Sequence, residues 1–581
     1  MNHRPTRRRH RLRHNGSLRA LTLTVVAALA VLVSACTADP EPGSGGGGPT
    51  TPPKNGGTFT IALDQYPERG LNPHDGSAFD ASQVLRNVYD SLISEDAQER
   101  FHPWLASSWN ISPDGLVYDF TLRDGIRFHN GEKLDAQAVK RNLDVLTSKD
   151  YPAWTTLGVL QYSSVSSVEV LDPLKVRIRL ATPRADFLST LAGISGAIVA
   201  PSTLTGDKAT LTSGARLVGS GPFILEKDVK GQQLVFRKNP DYRWGPAKAA
   251  HQGPAYIDKL VVRYVPEAST RAGLLQSGEV DAISTVAATD IGLFKGVDGF
   301  QYAQTGSAAS TSVIMFNLTS GATRDIRVRR ALTRGVDLNA VVEGVTRGTQ
   351  NRAWSLLSPD SKYFDAKYNG GYPADVTAAG KLLDEAGYTG RDGDGFRTDA
   401  QGRRLTIRLL ATTPSYPMDD VLKAWQAEVR QNLGAEVSLQ YVPNAQVYDL
   451  LARNDYQAFP RQVGGLDLSL QLNRAYGSTS PDLKYGDVDG ITLGSIVAGS
   501  KIADPKLDDL LLRATKETDD TNRKTLFDQI TRYILDRAVA LPLFTDRNSV
   551  AAAATVHNIR TLFDAPRNTI NAWGYDIAVN S

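Results

Sequence analysis

The thiol is the side chain best suited to nucleophilic attack, and this 581-residue chain has a single one, Cys36. It closes the run Leu32-Val33-Ser34-Ala35-Cys36, directly behind Leu21 to Val33, a stretch built of Leu, Val, Ala and Thr. With no second cysteine it has no disulfide partner in the chain, which points to modification of the thiol itself. Signatures of catalysis are missing: the sequence has no phosphate-cradling P-loop, no G-x-S-x-G, no H-E-x-x-H and no C-x-x-C. Arg391-Asp392-Gly393-Asp394-Gly395 opens like a calcium loop. Phe396 then takes a ligand position and Arg397 the position of the obligatory glycine, so a polar hairpin turn is expected instead. After residue 35 the histidines are His74, His102, His129, His251 and His557, none at metal-ligand spacing. They read as structural or surface groups, and no metal, cofactor or catalytic residue is expected.

The surroundings of Cys36 give it a meaning. Seven arginines and no acid fill the first twenty residues, and thirteen apolar-rich residues follow. A basic n-region, a short apolar h-region and small residues before a cut describe a secretory signal peptide over residues 1–35. The apolar stretch is well short of the roughly twenty residues a membrane span needs. Val33-Ser34-Ala35-Cys36 resembles the bacterial lipobox, in which the thiol receives a diacylglyceryl group and becomes the mature N-terminus. At roughly 0.8 kcal/mol per buried CH₂, two or three acyl chains hold a protein on a membrane. The expected location is extracytoplasmic, with the chain lipid-anchored to the outer face of the cell membrane.

Removing residues 1–35 takes away seven positive charges and no negative ones, turning the net charge of +3 into −4. A mildly acidic body lacks the basic face that nucleic acid requires. The remaining 546 residues exceed the usual size of one domain and contain no second apolar run of membrane-spanning length. Residues 36–55 are dominated by Gly, Pro and small polar types and read as a flexible tether.

From Gly56 onward strand and helix patterns alternate. Thr58–Leu63 and Lys175–Leu180 alternate at period two, as half-buried strands do. Asp135 stands where a helix cap belongs, before the stripe Val139, Leu143, Leu146. Leu422, Trp425, Val429 and Leu433 form another stripe that stops at Gly434, and a strand through Val437, Leu439 and Tyr441 follows. Leu526, Ile530, Tyr533 and Ile534 mark a late amphipathic helix leading into Ala538–Leu543. Asp124-Gly125 and Asn130-Gly131 are turn dipeptides that predict a short strand Ile126–Phe128 between them. The fold class is α/β with mixed sheets.

A series of blocks spread over nearly the whole body carries a resemblance. Gly57-Thr58-Phe59-Thr60 with Leu71-Asn72-Pro73, Val88-Tyr89-Asp90-Ser91-Leu92 and Pro103–Trp109 come first. Next is the run from Pro113-Asp114-Gly115 through Leu122-Arg123-Asp124-Gly125-Ile126-Arg127-Phe128-His129-Asn130-Gly131. Gly219–Phe223, Arg237–Tyr242, Ser277–Asp281, Asp325–Leu332 and Lys381–Tyr388 complete it. In this order they resemble family 5 of the extracellular solute-binding proteins of ABC importers, the dipeptide, oligopeptide and nickel-binding type.

The resemblance implies a two-lobed clamshell of the type II periplasmic-binding-protein kind, in the large peptide-binding cluster, with a hinge crossed twice. Lobe I is expected at 57–305 plus 546–581 and lobe II at 306–545. A ligand in the interlobe cleft would draw the lobes shut by touching both, and the closed monomer would deliver it to the permease subunits of an ABC importer. The expected solute is a di- or oligopeptide. Alternatives are an oligosaccharide, a metal chelate or an opine-like conjugate and, from another class, a cell-surface hydrolase. Peptide-binding relatives clamp the ligand ammonium with an Asp in a G-W-x-x-D segment. Here Gln462-Val463-Gly464-Gly465-Leu466-Asp467 is the matching stretch, with Val463 in place of Trp and Asp467 one position late. Candidate ligand residues are therefore Asp467 and Gly464, with Arg461 as a carboxylate partner. Tyr66, Trp354 and Tyr416 are candidate aromatic walls, simple core packing being the competing role for each.

Overall fold

Val176, Ile178 and Leu180 point into a core, while Arg177 and Arg179 on the opposite face pair with Asp119 and Glu169 of neighbouring strands. Strict alternation thus becomes one buried and one charge-paired face, and the strand Lys175–Leu180 lies within a four-stranded antiparallel sheet. The structure is a computed structural model that describes residues 52–67, 70–74, 79–96, 99–148, 161–207, 210–211, 216–411, 417–463, 468–478, 500–563 and 573–580.

Thr58–Leu63 behaves differently from Lys175–Leu180 because it sits inside the larger, eleven-stranded mixed sheet. It runs parallel to both Lys259–Tyr264 and Ala282–Ser284, and Phe59, Ile61, Ala62 and Leu63 are all fully buried. A strand covered on both faces needs apolar residues on both.

Helix ends follow the residues that permit them. Asp135 accepts the amide of Ala138 at 2.9 Å and opens the helix Ala136–Thr147, which buries Val139, Leu143 and Leu146. The helix Met418–Leu433 buries Leu422, Trp425, Val429 and Leu433 and ends where Gly434 turns left-handed at φ 61°. The expected strand Ile126–Phe128 does not form. Gly125 and Gly131 both adopt positive φ as turn residues, but the connection is made by one isolated bridge, Arg127 to Lys133. Two turns so close together leave no room for a ladder. Arg391 and Arg397 do face each other across a two-stranded hairpin closed by the Asp392–Phe396 turn.

Two long antiparallel strands, Phe300–Phe316 and Ala540–Ala553, form the middle of the large sheet. Ala303 and Val550 belong to one apolar cluster, built from residues 59–303 and 550–577. Ile314, Phe316, Leu541 and Leu543, farther along the same strands, belong to a second cluster formed within residues 314–544. A third, Val313 to Ala540, is dominated by the helices Leu468–Tyr476, Pro505–Lys516 and Asp520–Asp536. Between the two halves the pairing slips: Gly306 faces Arg547, but the next pair is Thr311 with Thr545. Such a bulge breaks the ladder and bends the strand at that point.

Candidate functional site

A cavity of about 400 Å³ lies where the second, four-stranded sheet meets the helices of the third cluster. One wall comes from the first half of the chain. The strands Ile93–Glu95 and Phe101–Pro103 pair with Glu95 opposite Phe101, and both residues face the cavity. Glu95 is buried and accepts the Ser189 hydroxyl at 3.0 Å. Glu99, at the tip of this hairpin, holds a left-handed φ of 58°, an uncommon conformation for a residue with a side chain. Behind the tip Asp96 gathers Arg100 and His102 at 3.0 and 2.8 Å and Lys248 as a third partner. Arg184 also lines this wall, and its Nε donates to Asp186 at 2.7 Å. The Arg184 and Asp186 side chains are only 10% and 1% exposed. Burial, reinforced by the negative charge of Asp186, pushes the Tyr118 hydroxyl up to about 12.

The other wall is a connected polar network. Tyr363 donates to Asp520 at 2.7 Å and accepts from Arg523 at 2.9 Å, while Lys362 reaches the second oxygen of Asp520 at 2.9 Å. Asp520 begins the helix Asp520–Asp536, where a negative charge is favoured by the helix dipole, and Asp519 caps it through the Asn522 amide. Burial alone would raise the Asp520 pKa, but the Tyr363 hydroxyl and Lys362 outweigh it and hold the carboxyl below its usual range. The Arg523 guanidinium, buried, lies 5.3 Å from the ring centres of both Tyr363 and Phe527. Leu468, the first described residue after 464–467, completes this side.

One backbone hydrogen bond joins the walls: the Ala185 amide donates to the Thr515 carbonyl at 3.1 Å. Thr515 lies in the last turn of the helix Pro505–Lys516, where carbonyls lack intrahelical donors. Gly115, in the turn before the strand Val117–Leu122, fits beside both, since a Cβ there would lie 3.6 Å from Pro183 and 3.7 Å from Thr518.

Residues 100–478 match the family described as bacterial extracellular solute-binding proteins, family 5. The chain belongs to that family. It is 27% identical over 484 residues to the nickel-binding periplasmic protein of Escherichia coli K12, covering 81% of this chain and 86% of that one. To the glutathione-binding protein GsiB of Salmonella paratyphi A it is 29% identical over 328 residues, covering 56% of this chain and 60% of the relative. Among solved structures, NikA from Brucella suis in complex with Fe(III)-EDTA superposes with a TM-score of 0.75 at 26% identity. The match covers 90% of this chain and all of NikA. The fold is that of the type II periplasmic binding proteins, as the resemblance implied. Family 5 members are extracytoplasmic binding proteins that work with ABC permeases, not enzymes.

Of the candidate ligand residues, three are described and none of these lines the cavity. Tyr66 packs on the first cluster, edge-on to Tyr264 at 5.0 Å, and its hydroxyl donates to Asp228 at 2.8 Å. Trp354 is half-buried beneath the Arg352 guanidinium at 4.5 Å, and Arg352 donates to the Pro542 carbonyl at 2.8 Å. Burial lowers the Arg352 pKa to about 9. Arg461 lies on the strand Ala458–Val463 opposite Val313 of the long strand, and its charge is felt by the buried Tyr476 hydroxyl. Tyr416, Gly464, Asp467 and the lipobox residue Cys36 lie outside the described residues. Lys362, Tyr363, Asp520 and Arg523 escaped the sequence reading. The available signal was the Asp520/Arg523 pair, spaced i to i+3 on one helix face just behind a capping Asp519.

His129 is partly buried, its Nε2 2.9 Å from the Gly221 carbonyl, and burial lowers its pKa to about 4. Among the described residues no group of three or more His, Cys, Asp or Glu side chains could hold a metal ion. Nor is any described helix long and apolar enough to cross a membrane.

Proposed function

We propose that this family 5 protein captures short peptides between two lobes and hands them to its ABC importer while anchored by a lipid on Cys36. The observation that carries the peptide reading is the cavity, within the usual size range of small-molecule sites, with charges of both signs on opposite walls. Glu95 and Glu99 on one side, beside Arg100 and Arg184, suit an ammonium, and Lys362 and Arg523 on the other, beside Asp520, suit a carboxylate. A peptide carries both groups at its ends. The lobes are taken as 57–305 with 546–581, and 306–545. Supporting that division are the separate apolar clusters on the two halves of the long strands and the bulge between Gly306 and Thr311. A solute that touches both walls favours the shut form by its differential affinity.

A second reading, an anionic metal chelate, is favoured by the likeness to NikA holding Fe(III)-EDTA. Both readings are tested by purifying the full chain, denaturing it and identifying the released small molecules by mass spectrometry. Recovered peptides support the first, whereas a recovered chelate or sugar overturns it. Thermal shift then ranks candidates, since a ligand at 100 times its Kd adds about 2.7 kcal/mol of stability. Arg523→Met and Asp467→Ala are each expected to weaken peptide binding at least tenfold. Unchanged affinity removes the residue concerned from the site.

A further inference from the structure

The C-terminal residues 573–580 run over the first cluster as a strap. The Trp573 ring lies 6.3 Å from Trp104, and Tyr575 sits 5.1 Å edge-on to Tyr242. The Gly574 amide donates to Asn87 at 2.9 Å, and Asn558 donates to the Asp576 carbonyl at 2.8 Å. At the strap's end the Asn580 side chain accepts the Lys54 amide and donates to the Pro52 carbonyl, both at 3.1 Å. One segment therefore seals a core and holds the first described residues of the body.

His251 fastens the strap from below. Its Nδ1 lies 2.9 Å from Asp576 Oδ1, its Nε2 lies 2.9 Å from the Pro254 carbonyl, and its ring stacks on Tyr575 at 4.5 Å. A carbonyl oxygen has no proton to give, so Nε2 is the donor there. A neutral imidazole has a single N–H, which would leave the Nδ1 lone pair facing a carboxylate oxygen at hydrogen-bond distance. A ring protonated on both nitrogens satisfies both acceptors. Asp576 is 2% exposed, so its charge is otherwise buried.

We propose that His251 is a standing imidazolium that clips the C-terminal strap to the body, and that the strap loosens as the surroundings turn alkaline. The groups facing the ring are Asp576 and Tyr575 from the strap and Tyr256, 4.2 Å away, from the loop before the strand Lys259–Tyr264. Lys238 reaches the Tyr256 carbonyl at 3.2 Å from the strand Gln233–Lys238. The Tyr575 hydroxyl, raised by burial and by Asp576, stays protonated and donates to the His251 carbonyl at 3.2 Å. Burial alone would lower the His251 pKa, but the hydrogen bonds to Asp576 and Pro254 and the Asp576 charge together raise it. The clip is complete below the ordinary histidine value of about 6.5 and fades as pH rises through the higher folded value.

The test uses the full chain labelled with ¹⁵N histidine, its ring nitrogens followed from pH 6 to 9, with His251→Gln to assign the signal. Both His251 nitrogens are expected at imidazolium shifts at pH 6.5, where an ordinary histidine is half deprotonated. An unprotonated ring nitrogen at pH 6.5, with the proton on Asp576 instead, overturns the proposal. Hydrogen exchange over 573–580, corrected for intrinsic rate, is expected to lose protection as pH rises from 6.5 to 9. In His251→Gln that protection starts lower and stays flat; an identical pH profile in both proteins overturns the proposal. Should the variant misfold, the ring-nitrogen measurement on the unaltered chain decides alone.

Discussion

The two walls of the cavity hold similar charges in opposite ways. On the first wall Arg184 is neutralised inside the protein: Asp186 is 1% exposed and Arg184 10%. On the second wall the Lys362 and Asp520 side chains are 34% and 62% exposed, and Asp520 divides its two oxygens between Lys362 and the Tyr363 hydroxyl. A pair closed off from water is fixed framework, because parting it strands a charge in a poor solvent. A pair open to water can exchange its partner for a solute at little cost. The Arg184–Asp186 pair is therefore framework and the Lys362–Asp520 pair the adjustable one.

The sharpest way to break this comparison is Asp186→Ala. Removing the carboxylate that Arg184 holds inside the protein is expected to cost about 3–5 kcal/mol, read by denaturant unfolding. A loss below 1 kcal/mol would put Arg184 in the same class as Lys362.

Acid provides the next largest effect and again separates the two regions. Burial lowers both His74 and His129 to about 4, with backbone acceptors at Ala197 and Gly221 opposing it. The unfolded chain binds these protons first, near pH 6.5. Stability is therefore complete above that value and falls as pH drops towards 4, by roughly 3 kcal/mol for each histidine. Residues 306–545 contain no histidine, so this acid loss belongs to the first region alone. Unfolding curves between pH 7 and 4 should flatten in His129→Gln, and an unchanged slope would place the acid sensitivity elsewhere.

Ala185→Pro tests the join between the walls. It removes the N–H whose hydrogen bond the Thr515 carbonyl accepts, a net effect of about 0.5–1.5 kcal/mol on the contact between the walls. Small-angle scattering should report a larger radius of gyration with little change in melting temperature; an unchanged radius would make the contact incidental. Smallest of all, Lys362→Ala should shift stability by about 0–1 kcal/mol, and even that should vanish in 1 M salt. A large, salt-resistant loss would mean that the second wall is framework too.

How far the sequence reached differs between these features for physical reasons. Thr58–Leu63, the Asp135 cap and the stop at Gly434 were legible because each rests on residues adjacent in sequence. The long strand Phe300–Phe316 was not, because its Gly306-to-Thr311 stretch interrupts the alternation that announces a strand. Ile126–Phe128 was over-read: turn dipeptides mark where a chain bends, and pairing depends on what lies opposite. The cavity was least legible of all. Tyr363 and Arg523 are 160 residues apart, and their contact exists only because a loop packs on the helix Asp520–Asp536. The family resemblance foretold the fold but said little about which charges would meet.

The clasp of Asn580 on Pro52 and Lys54 has a mechanical consequence. Both ends of the body are tied at one knot, beside the first cluster. Tension arriving along the chain ahead of Pro52 enters the strap and the strand Thr58–Leu63 together and is shared in shear between them. The helices carrying Thr515 and Asp520 make no hydrogen bond to that knot among those described, so such tension reaches them only through the rest of the body.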